Sequence, residues 1–220
     1  MRRCLIYLFL LLALQTGALA QAASAPISDE QYWPDLSVSY KVSAKVSLGF
    51  FSTVRLGRNE GALVNEQIGG GVTLRLHKYL TVVQGYRFIA AQPAPTNHTK
   101  EDRWFFDLTP RLPLPGGFVF SDRNRYELRF ISGVKTWRYR NRFQLEKAIK
   151  FHDHQITPYI ADELFYDSKY QAWTRSQFFV GMKLPVTKHF TLDSYYLKQN
   201  DARAHPGYLQ ILGTSFRLDF

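Results

Sequence analysis

The last residues of the chain, Leu209–Phe220, read LQILGTSFRLDF and end on an aromatic side chain. Read with a period of two, this stretch has one apolar face and one more polar face. The apolar face consists of Leu212, Thr214, Phe216, Leu218 and Phe220, and the other face consists of Gly213, Ser215, Arg217 and Asp219. The pattern predicts a β-strand with one apolar side. We interpret Phe216, Leu218 and Phe220 as the signature of a strand that closes a transmembrane β-barrel.

The same alternation recurs along the chain and indicates an all-β fold. It begins in a hairpin formed by residues 36–42 and 46–56 around the turn at residues 43–45. Eleven strands can be counted in this way, and no helix of useful length is predicted. Bacterial outer-membrane barrels normally have an even number of strands. We therefore predict a closed antiparallel up-and-down transmembrane β-barrel of about 10–12 strands, and we expect the miscounted strand to be the first or to lie within residues 91–117.

Residues 1–20 have the three parts of a secretory signal peptide. Arg2 and Arg3 precede an apolar run, Leu5–Leu14, which is followed by the small-residue cleavage site Ala18-Leu19-Ala20. We predict a polar linker over residues 21–31 and a single barrel domain over residues 32–220. Loss of the leader lowers the formal charge from +10 to +8 and removes Cys4, the only cysteine. The mature chain therefore has neither disulfides nor thiolate metal sites.

The composition of the two strand faces decides between a soluble and a membrane barrel. A soluble domain would use Lys and Glu freely on its outside, whereas here one face is rich in arginine with scattered carboxylates. No stretch after the leader reaches the roughly 18 apolar residues that a membrane helix needs, so only a closed barrel could place this chain in a membrane. Aromatic residues stand near predicted strand ends, as in the girdles of membrane barrels; they include Trp33, Tyr40, Tyr79, Trp104 and Tyr166. We predict location in the bacterial cell outer membrane, with outer-membrane lipid and the outer-membrane barrel assembly machinery as partners.

Connection lengths are expected to distinguish the two ends of the barrel. Predicted short turns lie at residues 43–45, 77–78, 113–117 and 186–188, and longer loops at residues 91–101 and 199–207. Short periplasmic turns and longer outer loops are typical of outer-membrane barrels. The run Gly69-Gly70-Gly71 lacks the helix and the Lys-Ser/Thr of a phosphate-binding loop. We predict a bend or a close backbone approach there.

Arginine dominates the polar face of the middle hairpin, where residues 123–129 and 138–146 alternate basic with aromatic or apolar side chains. We predict that one face forms a lumen-facing charge network. Its members are Arg123, Arg125, Glu127, Arg129, Arg138, Arg140, Arg142, Glu146, Glu163, Arg175 and Arg217. If Glu163 faces inwards, Asp162 faces outwards, and we expect a β-bulge to reconcile the two.

Several short motifs resemble those of an uncharacterised bacterial outer-membrane β-barrel family known as a domain of unknown function. They are Trp33 with Ser39-Tyr40-Lys41, Arg123-Asn124-Arg125, Arg140-Asn141-Arg142, Thr157-Pro158-Tyr159 with Glu163-Leu164-Phe165-Tyr166-Asp167, and the closing Phe220. The resemblance covers nearly the whole mature chain. It implies a barrel but no activity and no site residues.

Three functions fit an arginine-rich interior. A structural barrel would use arginine–carboxylate pairs to fill and brace a narrow lumen. A small anion-preferring pore would use the excess of arginine to select its ion, which makes a small anion the candidate ligand. An outer-membrane hydrolase would need a catalytic constellation. The cluster His152-Asp153-His154 sits in a predicted turn without an evident third ligand, so we predict no catalytic residue, no metal site and no cofactor.

Nucleic acid is not a predicted partner, although the chain is basic. The protein is predicted to be exported, and its arginines recur along strands instead of clustering on a helix. We therefore favour the structural barrel, with the pore and the hydrolase as alternatives.

Overall fold

One β-sheet that closes on itself contains most of the chain. The computed structural model describes residues 28–94, 96–152 and 154–220. The predicted signal peptide and linker residues 21–27 lie outside the described residues. The strands are β1 (Ser28–Lys41), β2 (Val46–Gly57), β3 (Ala62–His77), β4 (Leu80–Ala94), β5 (Asn97–Leu114), β6 (Phe118–Ile131), β7 (Val134–Lys147), β8 (Ile149–Phe151), β9 (His154–Asp167), β10 (Ala172–Pro185), β11 (Phe190–Asp201) and β12 (Tyr208–Asp219).

The predicted closed barrel is confirmed, and its wall has eleven strands. Neighbouring strands pair in chain order and antiparallel, except that β7 pairs with β9 and the short β8 pairs only with β9. The barrel closes between β1 and β12, which run parallel from Ser28↔Tyr208 to Ser39↔Asp219. In an up-and-down chain each strand reverses direction, so the first and the eleventh wall strands run the same way. The expectation of an even strand number is therefore wrong, and so is antiparallel pairing at this seam.

The barrel starts earlier than predicted. Strand β1 begins at Ser28, so residues 28–31 belong to the wall and not to a linker. A 3-10 turn at Pro115–Gly117 joins β5 and β6. Within the described ranges, no helix is long and apolar enough to cross a membrane.

The predicted long loop over residues 91–101 is wrong. Strands β4 and β5 continue through this region as a hairpin, in which Ala94 pairs with Asn97. Strand β5 also continues through Pro113, beyond its expected end near Leu112. Because β4 begins at Leu80, opposite Pro110, Pro113 lies past the paired length of β4. Its missing N–H therefore breaks no hydrogen bond to β4.

Connections at the two ends of the barrel do not differ in length as predicted. At the end that holds the carboxy terminus they span residues 42–45, 78–79, 115–117, 148–153 and 186–189, and at the other end residues 58–61, 95–96, 132–133, 168–171 and 202–207. Short connections occur at both ends, so loop length does not distinguish one rim from the other.

The triple glycine is a site of close backbone approach, as predicted. A Cβ on Gly69 would collide with the carbonyl oxygen of Tyr86 and the ring of Phe51, and a Cβ on Gly71 would lie 2.6 Å from the carbonyl oxygen of Gln84. Glycine is required here because β3 and β4 pack closely and leave no space for a side chain.

The bulge expected near Asp162 does not occur. Register between β9 and its two neighbours is unbroken from Tyr159 to Phe165, and the only shift in the β9–β10 ladder lies between Trp173 and Arg175. Glu163 is consequently buried on one face of β9. Asp162 lies on the other face, where its partners on the neighbouring strands are Phe143 and Phe178.

Apolar side chains cover part of the buried face of the wall, which the sequence pattern had assigned to polar residues. They form one cluster on β9, β10, β11, β12 and β1. Its members are Trp33, Tyr159, Ala161, Phe179, Leu197, Leu209 and Ile211. Leu209 and Ile211 share a face with Arg217, so the closing strand changes from apolar to charged along its buried side.

Candidate functional site

A network of buried ion pairs lies on β5, β6, β7 and β9 and is the most distinctive chemical feature of the described residues. Strand alternation places Arg123, Arg125 and Glu127 on the buried face of β6, and register sets them opposite Arg142, Arg140 and Arg138 of β7. Three long basic side chains therefore meet two more from the next strand within a narrow space. Carboxylates on the three strands β5, β6 and β9 compensate this charge.

Glu127 lies at the centre of the network and is fully buried. Its Oε2 accepts from Arg138, whose Nη2 is 2.6 Å away, and its Oε1 accepts from Nη1 of Arg140 at 3.0 Å. Arg103 and Arg125 approach the same Oε1 at 3.7 and 4.0 Å. One carboxylate from β6 thus ties together guanidinium groups from three strands.

Arg140 links this centre to a second buried carboxylate. Its Nε donates to Oε1 of Glu163 at 2.8 Å, and Nη2 of Arg123 donates to the same oxygen at 2.6 Å. The guanidinium of Arg140 also lies 4.4 Å from the ring centroid of Phe165. The network is therefore held by charge-assisted hydrogen bonds and by ring contacts together.

Three more carboxylates complete the network, and two of them, Glu101 and Asp167, lie towards the rim at residues 131–134. Glu101 accepts from Nε of Arg103 at 2.6 Å and from Nε of Arg129 at 2.8 Å, and Arg129 also reaches Asp167 at 3.2 Å. Asp107 holds Arg125 with two hydrogen bonds of 2.6 and 2.7 Å. Forked pairing of this kind fixes both the distance and the orientation of the guanidinium plane.

The structure brings together most, but not all, of the predicted charge network. Seven predicted residues share one connected set, namely Arg123, Arg125, Glu127, Arg129, Arg138, Arg140 and Glu163. Glu146 instead pairs with Arg111 at 2.5 Å and with Lys183. Arg175 pairs with Asp201 and Arg217 with Asp193, each at 2.5 Å. The ion pairs of Arg175 and Arg217 thus lie on β10, β11 and β12, outside the connected set.

Sequence reasoning did not select Glu101 and Asp167, which are both buried members of the network. Glu101 lay inside the predicted long loop, and its even spacing from Arg103 and Asp107 was the signal for a common face. Asp167 follows Glu163 by four residues, which again places it on the same face of β9.

Arg142 stands apart from the other members of the predicted network. None of the carboxylates that the structure describes lies within 4.0 Å of its guanidinium. Its Nη2 donates to Oε1 of Gln144 at 3.1 Å, and its Nε is buried without a hydrogen-bond partner. The guanidinium lies 4.1 Å from the ring centroid of Phe179, which holds the side chain in place.

A cavity of about 330 Å³ opens beside Arg142, at the end of the barrel near the carboxy terminus. Basic, acidic and hydroxyl-bearing side chains line it, together with one phenylalanine. They are Asp35, Thr109, Ser121, Arg123, Arg142, Gln144, Tyr159, Phe179, Lys183, Asp193, Tyr195, Ser215 and Arg217. Arg123 belongs both to this lining and to the network, so the network closes one side of the cavity.

Of the predicted carboxy-terminal signature, Phe216 and Phe220 lie on the exposed face of the wall. Phe216 stacks on Phe190, and Phe220 stacks on His189. The backbone of Phe220 donates to Ser39 and accepts from Lys41, at 2.8 and 2.7 Å. The last residue is thus fixed to β1 across the seam. Leu218 lies between them on the same side of β12, opposite Phe190 and Val38.

The histidine cluster at residues 152–154 gains no further support. Asp153 lies outside the described residues, and His152 is exposed in the turn beside Phe151. Nowhere in the described ranges do three or more His, Cys, Asp or Glu side chains come together in a way that could hold a metal ion.

Residues 30–210 match the family described as "Protein of unknown function (DUF2490)". That match spans most of the chain, including every strand that carries the charge network. The chain belongs to the DUF2490 family. It is also similar to "Uncharacterized protein MexAM1_META1p0181" of Methylorubrum extorquens, with 25% identity over 190 residues that cover 82% of each protein. Membership in DUF2490 agrees with the resemblance inferred from the motifs and assigns no activity to the cavity or to the network.

Proposed function

We propose that this DUF2490 protein is an integral β-barrel of the bacterial outer membrane, with a narrow, arginine-rich lumen that the ion-pair network fills and braces. One observation carries the proposal: the polarity of the wall is inverted. Large apolar side chains are exposed on every full-length wall strand except β4, among them Phe50, Trp104, Phe178 and Leu212. The buried side chains include more polar and charged residues than apolar ones.

In water this arrangement would be unfavourable, because contiguous apolar surface of this extent is rare on soluble monomers. In a bilayer the same surface would meet hydrocarbon, and the closed sheet would satisfy its backbone hydrogen bonds internally. Aromatic contacts on the exposed face support the same placement, since Tyr126, Trp137, Tyr166 and Trp173 form one row across β6, β7, β9 and β10. Such rows are typical of the membrane interface.

The proposal includes export by the predicted signal peptide, insertion by the barrel assembly machinery and no enzymatic activity. Fractionation of cells that express the full chain tests the location, and heat-modifiable migration on a gel tests the barrel. We expect the protein in the outer-membrane fraction, with a folded form that migrates differently from the boiled form. Recovery as a soluble periplasmic protein without detergent would contradict the proposal.

An anion-preferring pore is the second candidate, because some arginines have no carboxylate partner among the described residues. Besides Arg142, Arg55 lies 3.8 Å from the ring centroid of Trp33, and Arg87 donates to Gln67 at 2.5 Å. Against conduction stand the cross-linked network and the apolar cluster, which together occupy much of the buried face.

Planar-bilayer recording separates the two functions. A filled structural barrel should give no steady conductance. Anion-selective steps that disappear when Arg138, Arg140 and Arg142 are replaced by glutamine would instead favour the pore, because rings of positive side chains select anions.

A further inference from the structure

We infer that the cavity beside Arg142 binds a small oxyanion, carrying a phosphate or a carboxylate group, between the guanidinium groups of Arg123 and Arg142. This goes beyond the proposed function, because a purely structural barrel needs no ligand. The inference depends on three cross-strand arginine pairs on β5, β6 and β7, of which only two have a carboxylate that contacts both guanidinium groups.

Arginines face each other directly at three positions in the ladders that join β5, β6 and β7. The pairs are Arg103↔Arg129 between β5 and β6, and Arg125↔Arg140 and Arg123↔Arg142 between β6 and β7. Like charges directly opposite each other destabilise a strand pair. An anion between the two guanidinium groups would relieve this repulsion. A further pair, Arg87↔Arg103 between β4 and β5, has no bridging carboxylate among the described residues, but it lies outside the cavity lining and Arg87 donates to the neutral Gln67.

A carboxylate fills this position in the first two pairs. Glu101 accepts from Arg103 at 2.6 Å and from Arg129 at 2.8 Å. In the second pair, Oε1 of Glu127 lies 3.0 Å from Arg140 and 4.0 Å from Arg125. The protein thus repeats one solution, in which a single carboxylate serves two opposed guanidinium groups.

The third pair has no such bridge. Arg123 donates one hydrogen bond to Glu163 at 2.6 Å, but Glu163 also serves Arg140. Arg142 has only the neutral amide oxygen of Gln144. The Nε groups of Arg123 and Arg142 are both buried without a partner within the described part of the chain. Unmet buried donors on charged groups are costly, and an oxyanion between the two arginines would satisfy both.

The cavity supplies the space that such an anion requires. Its volume of about 330 Å³ is at the lower end of the range for small-molecule sites. Lys183 and Arg217 also line it, each paired with a carboxylate (Glu146 and Asp193), and Ser121, Tyr159 and Ser215 add hydroxyl groups. A small anion with polar substituents fits this chemistry.

One competing arrangement uses only the protein's own groups. Glu163 lies opposite Arg142 in the sheet, and its Oε2 is also buried without a partner. If Arg142 turned towards Glu163, both groups would be satisfied and no external anion would be needed. The experiment must therefore separate an anion site from an internal ion pair.

The test is isothermal titration calorimetry of the full mature chain, folded in detergent, with inorganic phosphate and with succinate. We expect saturable binding of at least one probe. Arg142→Gln should weaken it by about tenfold or more, since a hydrogen bond to a charged group contributes that much. The matched control Arg87→Gln removes another arginine without a carboxylate partner but outside the cavity lining, and should change the affinity by less than about twofold.

A second variant protects the test against misfolding. Ser121→Leu narrows the cavity without removing a charge and should also abolish binding. Heat-modifiable migration of each variant reports the barrel independently of any ligand, so failure of the anion site is distinguishable from failure of the proposed fold. Absence of saturable binding to the wild-type chain, or equal binding by Arg142→Gln or Ser121→Leu, would overturn the inference in favour of the internal pair.

Discussion

Glu127 has no exposed surface and depends entirely on its arginine neighbours for compensation of its charge. Removing one member of a buried ionic cluster leaves the others desolvated and unpaired, which costs more than the pairing contributed. Glu127→Gln keeps the shape of the side chain but removes its charge. We expect it to lower the free energy of unfolding in detergent by about 3–5 kcal/mol. Denaturant titration followed by heat-modifiable migration measures this change.

Glu66 provides the matched control for that substitution. It is exposed on β3 and, in the part of the chain that the structure describes, has no ion pair. Glu66→Gln should therefore change the unfolding free energy by no more than about 0.5 kcal/mol. If Glu127→Gln were equally mild, the network would contribute nothing to the stability of the barrel.

Asp162 is the opposite case, a carboxylate on the face that we propose to meet lipid. It has no side-chain partner in the described ranges, and Phe143 and Phe178 stand beside it in the sheet. A charge at mid-height on a lipid-facing wall is destabilising. Asp162→Leu should therefore stabilise the barrel in lipid by about 1–2 kcal/mol.

The measurement is the unfolding free energy of Asp162→Leu in liposomes. The control Glu30→Leu shows how the effect depends on the depth of the residue in the bilayer. Glu30 is the third residue of β1 and lies at the rim, where substitution should have little effect. A loss of stability in Asp162→Leu would indicate that this part of the exposed face binds a polar partner instead of lipid.

At the scale of elements, alternation predicted the strands because a closed sheet buries one side of every strand. The hairpin β6–β7 follows the predicted faces residue by residue, from Arg123 opposite Arg142 to Arg129 opposite Thr136. Alternation does not report where a strand ends when polar residues and proline extend it. For this reason alternation predicts a loop over residues 91–101, which includes Glu101, where β4 and β5 form a hairpin.

The composition of the buried face was also only partly predictable. Period two shows which residues share a side, but not which strands come together across the barrel. The charged residues of β5–β7 and the apolar cluster on β9–β12 and β1 occupy different sectors of the same face. Which carboxylate pairs with which arginine depends on register between strands distant in sequence, as in Arg111 with Glu146.

The contact between β3 and β4 yields a prediction for a single added methyl group. Gly69→Ala would push a Cβ against the carbonyl oxygen of Tyr86 on the paired strand. Backbone cannot yield as a flexible side chain does, so we expect a loss of about 2–3 kcal/mol in unfolding free energy.

Gly49→Ala is the control for that substitution, because its nearest neighbour would lie 3.8 Å away. It should be close to neutral in the same denaturant titration. Equal effects of the two alanines would mean that backbone freedom, and not close packing, explains the glycine at position 69.

For the whole molecule, the odd number of strands has a consequence that an even-stranded barrel lacks. Strands β1 and β12 run parallel, so Ser28 lies at one rim while Phe220 lies at the other. The turn at residues 42–45 lies at the same rim as Phe220, because β1 ends at Lys41 and the N–H of Lys41 donates to the carbonyl oxygen of Phe220. The two ends of the barrel domain therefore face opposite sides of any membrane that it spans.

Single cysteines test this arrangement, because the only natural cysteine, Cys4, lies in the predicted leader. Ser28→Cys and Lys188→Cys both place a thiol at an exposed rim position, with nine wall strands between them. Because the two positions lie at opposite rims, a membrane-impermeant maleimide on intact cells should label one of the two variants and spare the other. Both should react after the outer membrane is permeabilised, which controls for thiol reactivity. Labelling of the two positions from the same side would require an even number of crossings, and would contradict the parallel seam that closes this barrel.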